Sequence, residues 1–91
     1  MLDRVLAIDV ETTGSSPESG DKIIEIAVIE MIDLQITGNV FHQYINPNII
    51  ISDSLTTVTG ITASFLETQP NFSDVAEKLV EFIDKIFIFS L

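Results

Sequence analysis

The stretch Val5-Leu6-Ala7-Ile8-Asp9-Val10-Glu11-Thr12-Thr13-Gly14 decides how the rest of the chain is read. Val5 to Ile8 is a short, wholly apolar run that ends at Asp9, the pattern of a strand buried on both faces. Side chains on a strand alternate, so Asp9 and Glu11 point to the same side, roughly 6–7 Å apart along the chain. Two carboxylates aimed together repel each other unless a cation lies between them. Hard divalent ions such as Mg²⁺ take oxygen ligands and keep waters, which leaves room for a phosphate. The turn Thr12-Thr13-Gly14 is small and carries hydroxyls, so backbone can approach a nucleotide closely. A bare Asp-x-Glu also fits an acidic strand end followed by a solvated turn, and the pattern alone leaves both readings open.

Working outward, Thr12 to Asp21 is loop chemistry, rich in Gly, Ser and Pro. Ile23 to Ile32 is β-branched and mostly apolar and reads as a second strand, with Glu25 and Glu30 as strand residues at a sheet edge or under a loop. Asp33 to Gly38 holds a turn, placed at Thr37-Gly38-Asn39 or just before. Val40 to Ile45 reads as a third strand, ended by Pro47. Ile49 to Val58 reads as a loop with one helical turn, and Gly60 marks a bend. Thr62 can cap a short helix through Leu66, closed by Pro70. Phe72, Val75, Ala76, Leu79, Phe82, Ile83 and Ile86 recur at helical spacing and mark a long amphipathic helix. The remaining Phe87-Ile88-Phe89-Ser90-Leu91 is apolar and β-prone.

Three strands joined by short connections, then helices, suggest an antiparallel meander with a helix on one face. The first strand does not fit that picture by itself. A strand apolar on both faces needs cover above and below and neighbours on both sides, which one helix cannot supply. The pattern is that of the first part of a larger α/β domain.

Composition narrows the chemistry. In 91 residues the chain has four Lys and Arg against fourteen Asp and Glu, a formal net charge of −10. It cannot hold a polyanion by cationic side chains, because that mode needs a basic patch to release counterions. Contact with nucleic acid would have to run through bridging metal ions. There is no cysteine, which excludes disulfides, thiolate zinc sites and cysteine nucleophiles. With no signal peptide and no apolar stretch long enough to span a bilayer, the expected location is cytoplasmic, with no membrane partner. His42, the only histidine, reads as a structural or surface residue of the third strand. Tyr44 and the six phenylalanines read as core.

Ala7-Ile8-Asp9-Val10-Glu11-Thr12-Thr13-Gly14 resembles the first motif of the DnaQ-like 3'-5' exonucleases of the DEDD superfamily. Gly20 to Glu30 is similar to that family's second strand. Thr37 to Pro47 is similar to its third, most closely in the epsilon proofreading subunits of bacterial DNA polymerase III. Gly60-Ile61-Thr62 and Gln69-Pro70-Asn71-Phe72 fall in the same order, so the resemblance covers roughly residues 4 to 85. It implies a ribonuclease H-like α/β exonuclease fold, here truncated to three N-terminal strands plus helices. It makes residues 1–91 a partial exonuclease domain.

The resemblance also implies roles. Asp9 and Glu11 would be catalytic residues and metal ligands for Mg²⁺ or Mn²⁺ in a two-ion site. Thr12, Thr13 and Gly14 would lie against the terminal nucleotide. The family usually has His-Gly-Ile after the third strand, where this chain has Thr59-Gly60-Ile61, so Thr59 takes the place of the histidine. Ser54 is a further candidate for that pocket. The implied substrate is the 3' end of single-stranded DNA, in proofreading, and the implied partners are replicative polymerase subunits. The family's second and third motifs, with two more carboxylates and a general-base histidine, do not occur in these 91 residues. The isolated chain is therefore expected to have negligible activity. Alternatives are a non-catalytic remnant, a half needing a second half-domain chain, or an RNA-trimming fragment.

Overall fold

A computed structural model describes residues 3–90, with side chains described as far as Asp84. Three strands, β1 (Arg4–Thr12), β2 (Ile23–Ile32) and β3 (Gln35–Tyr44), form one antiparallel sheet in the order β1-β2-β3. Three helices follow: α1 (Asp53–Thr59), α2 (Ala63–Glu67) and α3 (Phe72–Ser90).

β2 has the limits its sequence suggests, and its alternation sets the two faces of the sheet. Ile24, Ile26, Val28 and Glu30 are buried on one side. Ile26 and Val28 pack with Ile45 and with Val75 of α3, and Leu6, Phe41, Leu79 and Phe82 close around them. A second cluster, Ile24, Ile61 and Leu66, gathers α1 and α2 against the end of the sheet through Ile51, Leu55 and Tyr44. The helix starts follow their caps: Ser52 accepts from the Leu55 N–H and Thr62 from the Phe65 N–H, both at 3.2 Å. The Ile49–Val58 region is more helical than its composition suggests, because Ser52 starts a helix that runs for seven residues.

Several expectations are corrected. The hairpin turn lies at Asp33-Leu34, with φ of 50° and 66°, at the start of the segment thought to hold it. Thr37-Gly38-Asn39 lies within β3, where Gly38 has φ 89° and the register shifts between Ile29 and Met31, as in a bulge. Glu25 and Glu30 sit on the central strand rather than at a sheet edge. The apolar tail does not start a strand: α3 continues through Ser90. A helix satisfies its backbone hydrogen bonds within one segment, whereas a strand there needs a neighbour. Leu91 lies outside the described residues.

The largest correction concerns β1. It is an edge strand, and Val5, Ile8 and Val10 are 43%, 57% and 42% exposed. Its apolar run predicts burial on both faces, which this edge position does not give. α3 lies against β3 and the centre of the sheet, and from β1 Arg4 bonds to α3 while Leu6 packs on the Ile26–Val28–Ile45–Val75 cluster. Arg4 fastens the sheet to the helix. Its Nε donates to Glu30 Oε2 at 2.7 Å, and its terminal nitrogens donate to the carbonyls of Ile83 and Phe82 at 2.6 and 2.9 Å.

Candidate active site

The β1–β2–β3 register puts the motif residues in order. Asp9 stands opposite Ala27, which stands opposite His42. Glu11 stands opposite Glu25, which stands opposite Tyr44. Directly opposed residues share a face, so Asp9, Glu11, Glu25, His42 and Tyr44 lie on the side of the sheet turned away from α3. The expectation that Asp9 and Glu11 point the same way agrees with this register. Both are exposed, and neither carries a hydrogen bond or ion pair among the described residues.

The loop after β1 is held by its own side chains. Thr12 Oγ1 donates to the Gly14 carbonyl. Thr13 Oγ1 donates to Asp21 Oδ1 and accepts from the Lys22 N–H, both at 2.9 Å. Asp21 Oδ2 accepts from the Ser16 N–H at 3.0 Å. Asp21 thus closes the loop over Gly14, and a Cβ on Gly14 would lie 2.5 Å from Oδ2. Any larger residue there must push the Asp21 carboxylate out of its hydrogen bonds. A cleft of about 400 Å³ opens beside the loop, lined by Thr12, Gly14, Pro17, Asp21, Lys22, Ile23 and Phe72. Because Phe72 starts α3, this cleft is on the helix side, not on the side of Asp9 and Glu11.

Of the two residues assigned to the bend region, Thr59 comes near the carboxylate face and Ser54 does not. Thr59 lines a cavity of about 370 Å³ with Tyr44, Gly60, Ile61, Thr62 and Phe65. Its hydroxyl is already used: it donates to the Leu55 carbonyl at 2.8 Å and accepts from the Ile61 N–H at 3.1 Å. Ser54 lies at the opposite end of α1, its Oγ 3.0 Å from that of Ser52.

Sequence reading overlooked the row beside Glu11. His42 Nε2 is 2.6 Å from Glu25 Oε2. The Glu25 charge, with some loss of water around the ring, pushes the Tyr44 phenol above its usual range. His42 packs edge-on against Tyr44 with centroids 5.0 Å apart, and Tyr44 against Phe65 at 4.9 Å. Counting back from a turn at Asp33-Leu34 pairs Glu25 with His42, and the register shift between Ile29 and Met31 moves its direct partner to Tyr44.

Unpaired, water-exposed carboxylates on one face are the donor chemistry of a hard divalent cation, and Mg²⁺ binds through as few as one or two of them while keeping waters. Asp9 and Glu11 fit that demand. No set of three or more His, Asp or Glu side chains close enough to enclose an ion occurs among the described residues.

Comparison with known proteins agrees with this geometry. The family model described as "Exonuclease" (RNase_T) matches residues 6–89. The chain is 42% identical over 85 residues to the DNA polymerase III subunit epsilon of Buchnera aphidicola, covering 89% of this chain and 35% of that protein. It is 44% identical over 81 residues to the 3'-5' exonuclease DinG of Bacillus subtilis, covering 89% of this chain and 9% of that protein. The nuclease domain of 3'hExo, described as a DEDDh family member bound to rAMP, superposes with a TM-score of 0.74 at 32% identity, over 98% of this chain and 46% of that one. The chain thus spans about a third of the length of the epsilon relatives it matches. The three-stranded sheet with its helices is part of the ribonuclease H-like α/β fold of these enzymes, and the chain belongs to the exonuclease (RNase_T) family.

Proposed function

We propose that residues 1–91 form the metal-binding first part of a 3'-5' exonuclease domain that removes nucleotides from the 3' end of single-stranded DNA, as in proofreading. One observation carries this reading: Asp9 and Glu11 stand on the open face of β1 with no partner among the described residues, immediately before the Thr12-Thr13-Gly14 loop. They would hold Mg²⁺ or Mn²⁺, and a divalent pair supplies a nucleophilic water and charge stabilisation in phosphodiester cleavage. Thr12, Thr13 and Gly14 would meet the terminal nucleotide, and their side-chain hydrogen bonds fix the loop before substrate arrives. At a net charge of −10, the ion is also what makes contact with a phosphate possible.

Two carboxylates do not complete a two-ion site. Groups that act as a unit lose most of the rate when any one is missing. On this reading the isolated chain cleaves negligibly. Activity then needs further carboxylates from outside these 91 residues, on a segment that covers the open edge of β1. Polymerase subunits are the expected setting, in the cytoplasm. RNA as substrate is a second reading, favoured by the rAMP bound to the 3'hExo domain.

The test is hydrolysis of 5'-labelled single-stranded DNA and RNA with Mn²⁺, by the chain alone and mixed with the remaining part of the Buchnera epsilon subunit. Stepwise 3' shortening only in the mixture, abolished by Asp9→Ala, is the expected result. No cleavage in the mixture, or equal cleavage with Asp9→Ala, would overturn the assignment of Asp9. Cleavage by the chain alone, silenced by Asp9→Ala, would remove the need for a partner.

A further inference from the structure

The carboxylate face holds a third acid whose environment differs from the other two. Glu25 stands directly opposite Glu11, a position that brings Cβ atoms to about 4.5–5.5 Å. Asp9 and Glu11 have no partners among the described residues, but the Glu25 carboxylate is drawn toward β3, with His42 Nε2 2.6 Å from its Oε2. The His42 ring is braced edge-on by Tyr44, and Tyr44 by Phe65. The Glu25 side chain is 24% exposed, so it is less free to move than its neighbours on β1. A carboxylate has about four lone-pair sites, and contact with His42 uses one of them.

We propose that Glu25 is a positioning residue for the cation that Asp9 and Glu11 would hold: tethered by His42, whose ring packs against Tyr44, it stays outside the ligand set and presents its charge and acceptor sites to that cation's retained waters. This rests on the reading of Asp9 and Glu11 as the ligands. The physical case has two parts. A free glutamate opposite Glu11 either repels it or joins the ion as a further ligand, taking a place that a phosphate oxygen needs. A glutamate tethered to β3 does neither, yet still presents negative charge and acceptor sites toward the retained waters. Outer partners of this kind typically change metal affinity by 10–100-fold, and partial exposure puts Glu25 at the low end.

The test is Mn²⁺ binding to the purified full chain, followed by the loss of the free-ion electron paramagnetic resonance signal, with no substrate present. Asp9→Asn is expected to abolish binding, and Glu25→Gln to weaken it roughly 5- to 10-fold. His42→Ala, which removes the tether of Glu25, is expected to weaken it by about 2- to 3-fold. It keeps the question answerable if Glu25→Gln does not fold, as judged by circular dichroism. Loss with Asp9→Asn but wild-type affinity in the folded Glu25 or His42 variant would overturn the role of Glu25 alone. Unchanged binding by Asp9→Asn would overturn the ion site itself, and the inference with it.

Discussion

The Arg4 guanidinium and the Glu30 carboxylate meet at 2.7 Å beneath α3, with both side chains more than nine-tenths buried. Glu30 also accepts from Thr37 Oγ1 at 2.8 Å and Asn39 Nδ2 at 2.9 Å. Every side-chain polar atom buried among the described residues has a partner. Removing one member of such a pair leaves the other charge buried and uncompensated, which costs about 3–5 kcal/mol. Glu30→Ala should lower stability by that amount in urea unfolding. A loss below about 1 kcal/mol, the range of an exposed pair, would contradict the buried geometry.

The same carboxylate makes folding acid-sensitive. Hydrogen bonds from Asn39, Arg4 and Thr37 lower the Glu30 pKa from 4.5 to about 2. The unfolded chain therefore takes up this proton at a higher pH than the folded one. The stabilisation is complete above about pH 4.5 and is lost as pH falls toward 2. The difference in urea midpoint between wild type and Glu30→Gln should shrink as pH falls through this window. A difference independent of pH would show that Glu30 does not titrate with folding.

Gly14→Ala places a methyl group against the Asp21 carboxylate, which must then leave Thr13 and the Ser16 N–H. The expected cost is roughly 1–3 kcal/mol by thermal unfolding. Asp21→Ala should recover part of that cost when combined with Gly14→Ala, giving a non-additive double-mutant cycle. Additive losses would mean that the two residues do not meet.

Leu34 has φ 66° at the second position of a two-residue hairpin and is 87% exposed. Branched and bulky side chains are strained there, and this turn type favours glycine. Leu34→Gly should raise stability by about 1 kcal/mol, which raises Tm by about 4–8 °C in a domain of this size. A fall in Tm would place the turn elsewhere.

The open edge of β1 should make the chain self-associate. Ile8 is 57% exposed beside unpaired backbone groups, and natural edges are blunted by lysine. Sedimentation equilibrium should show concentration-dependent association, reduced in Ile8→Lys with little change in the unfolding midpoint. Equal association by both proteins would move the contact away from β1.

Much of this architecture was readable in residue order. The β2 limits follow from a run of β-branched residues, α2 from its Thr62 cap, and the start of α3 from helical spacing after Pro70. The shared face of Asp9 and Glu11 follows from strand alternation alone. What was missed depends on contacts distant in sequence. Arg4 and Glu30 look like ordinary strand charges until the register and α3 bring them together. Asp33-Leu34 has no glycine to announce a turn, so Gly38 drew the turn to the wrong place, and the Glu25–His42–Tyr44 row went unseen with it. The apolar face of β1 was read correctly as apolar, but its burial depends on cover that the sheet and α3 do not provide.

The order of elements has a kinetic consequence. Each strand pairs only with its sequence neighbour, so the sheet can zip from the Asp33-Leu34 turn with short loops to close, the situation of a low contact order. The Arg4 contacts to Phe82 and Ile83 bridge 78 and 79 positions and carry the greatest closure entropy. They are the natural last step of folding and should be absent from its transition state. Arg4→Ala would then leave the refolding rate nearly unchanged and speed unfolding, so this clamp sets how long the folded chain survives rather than how quickly it forms.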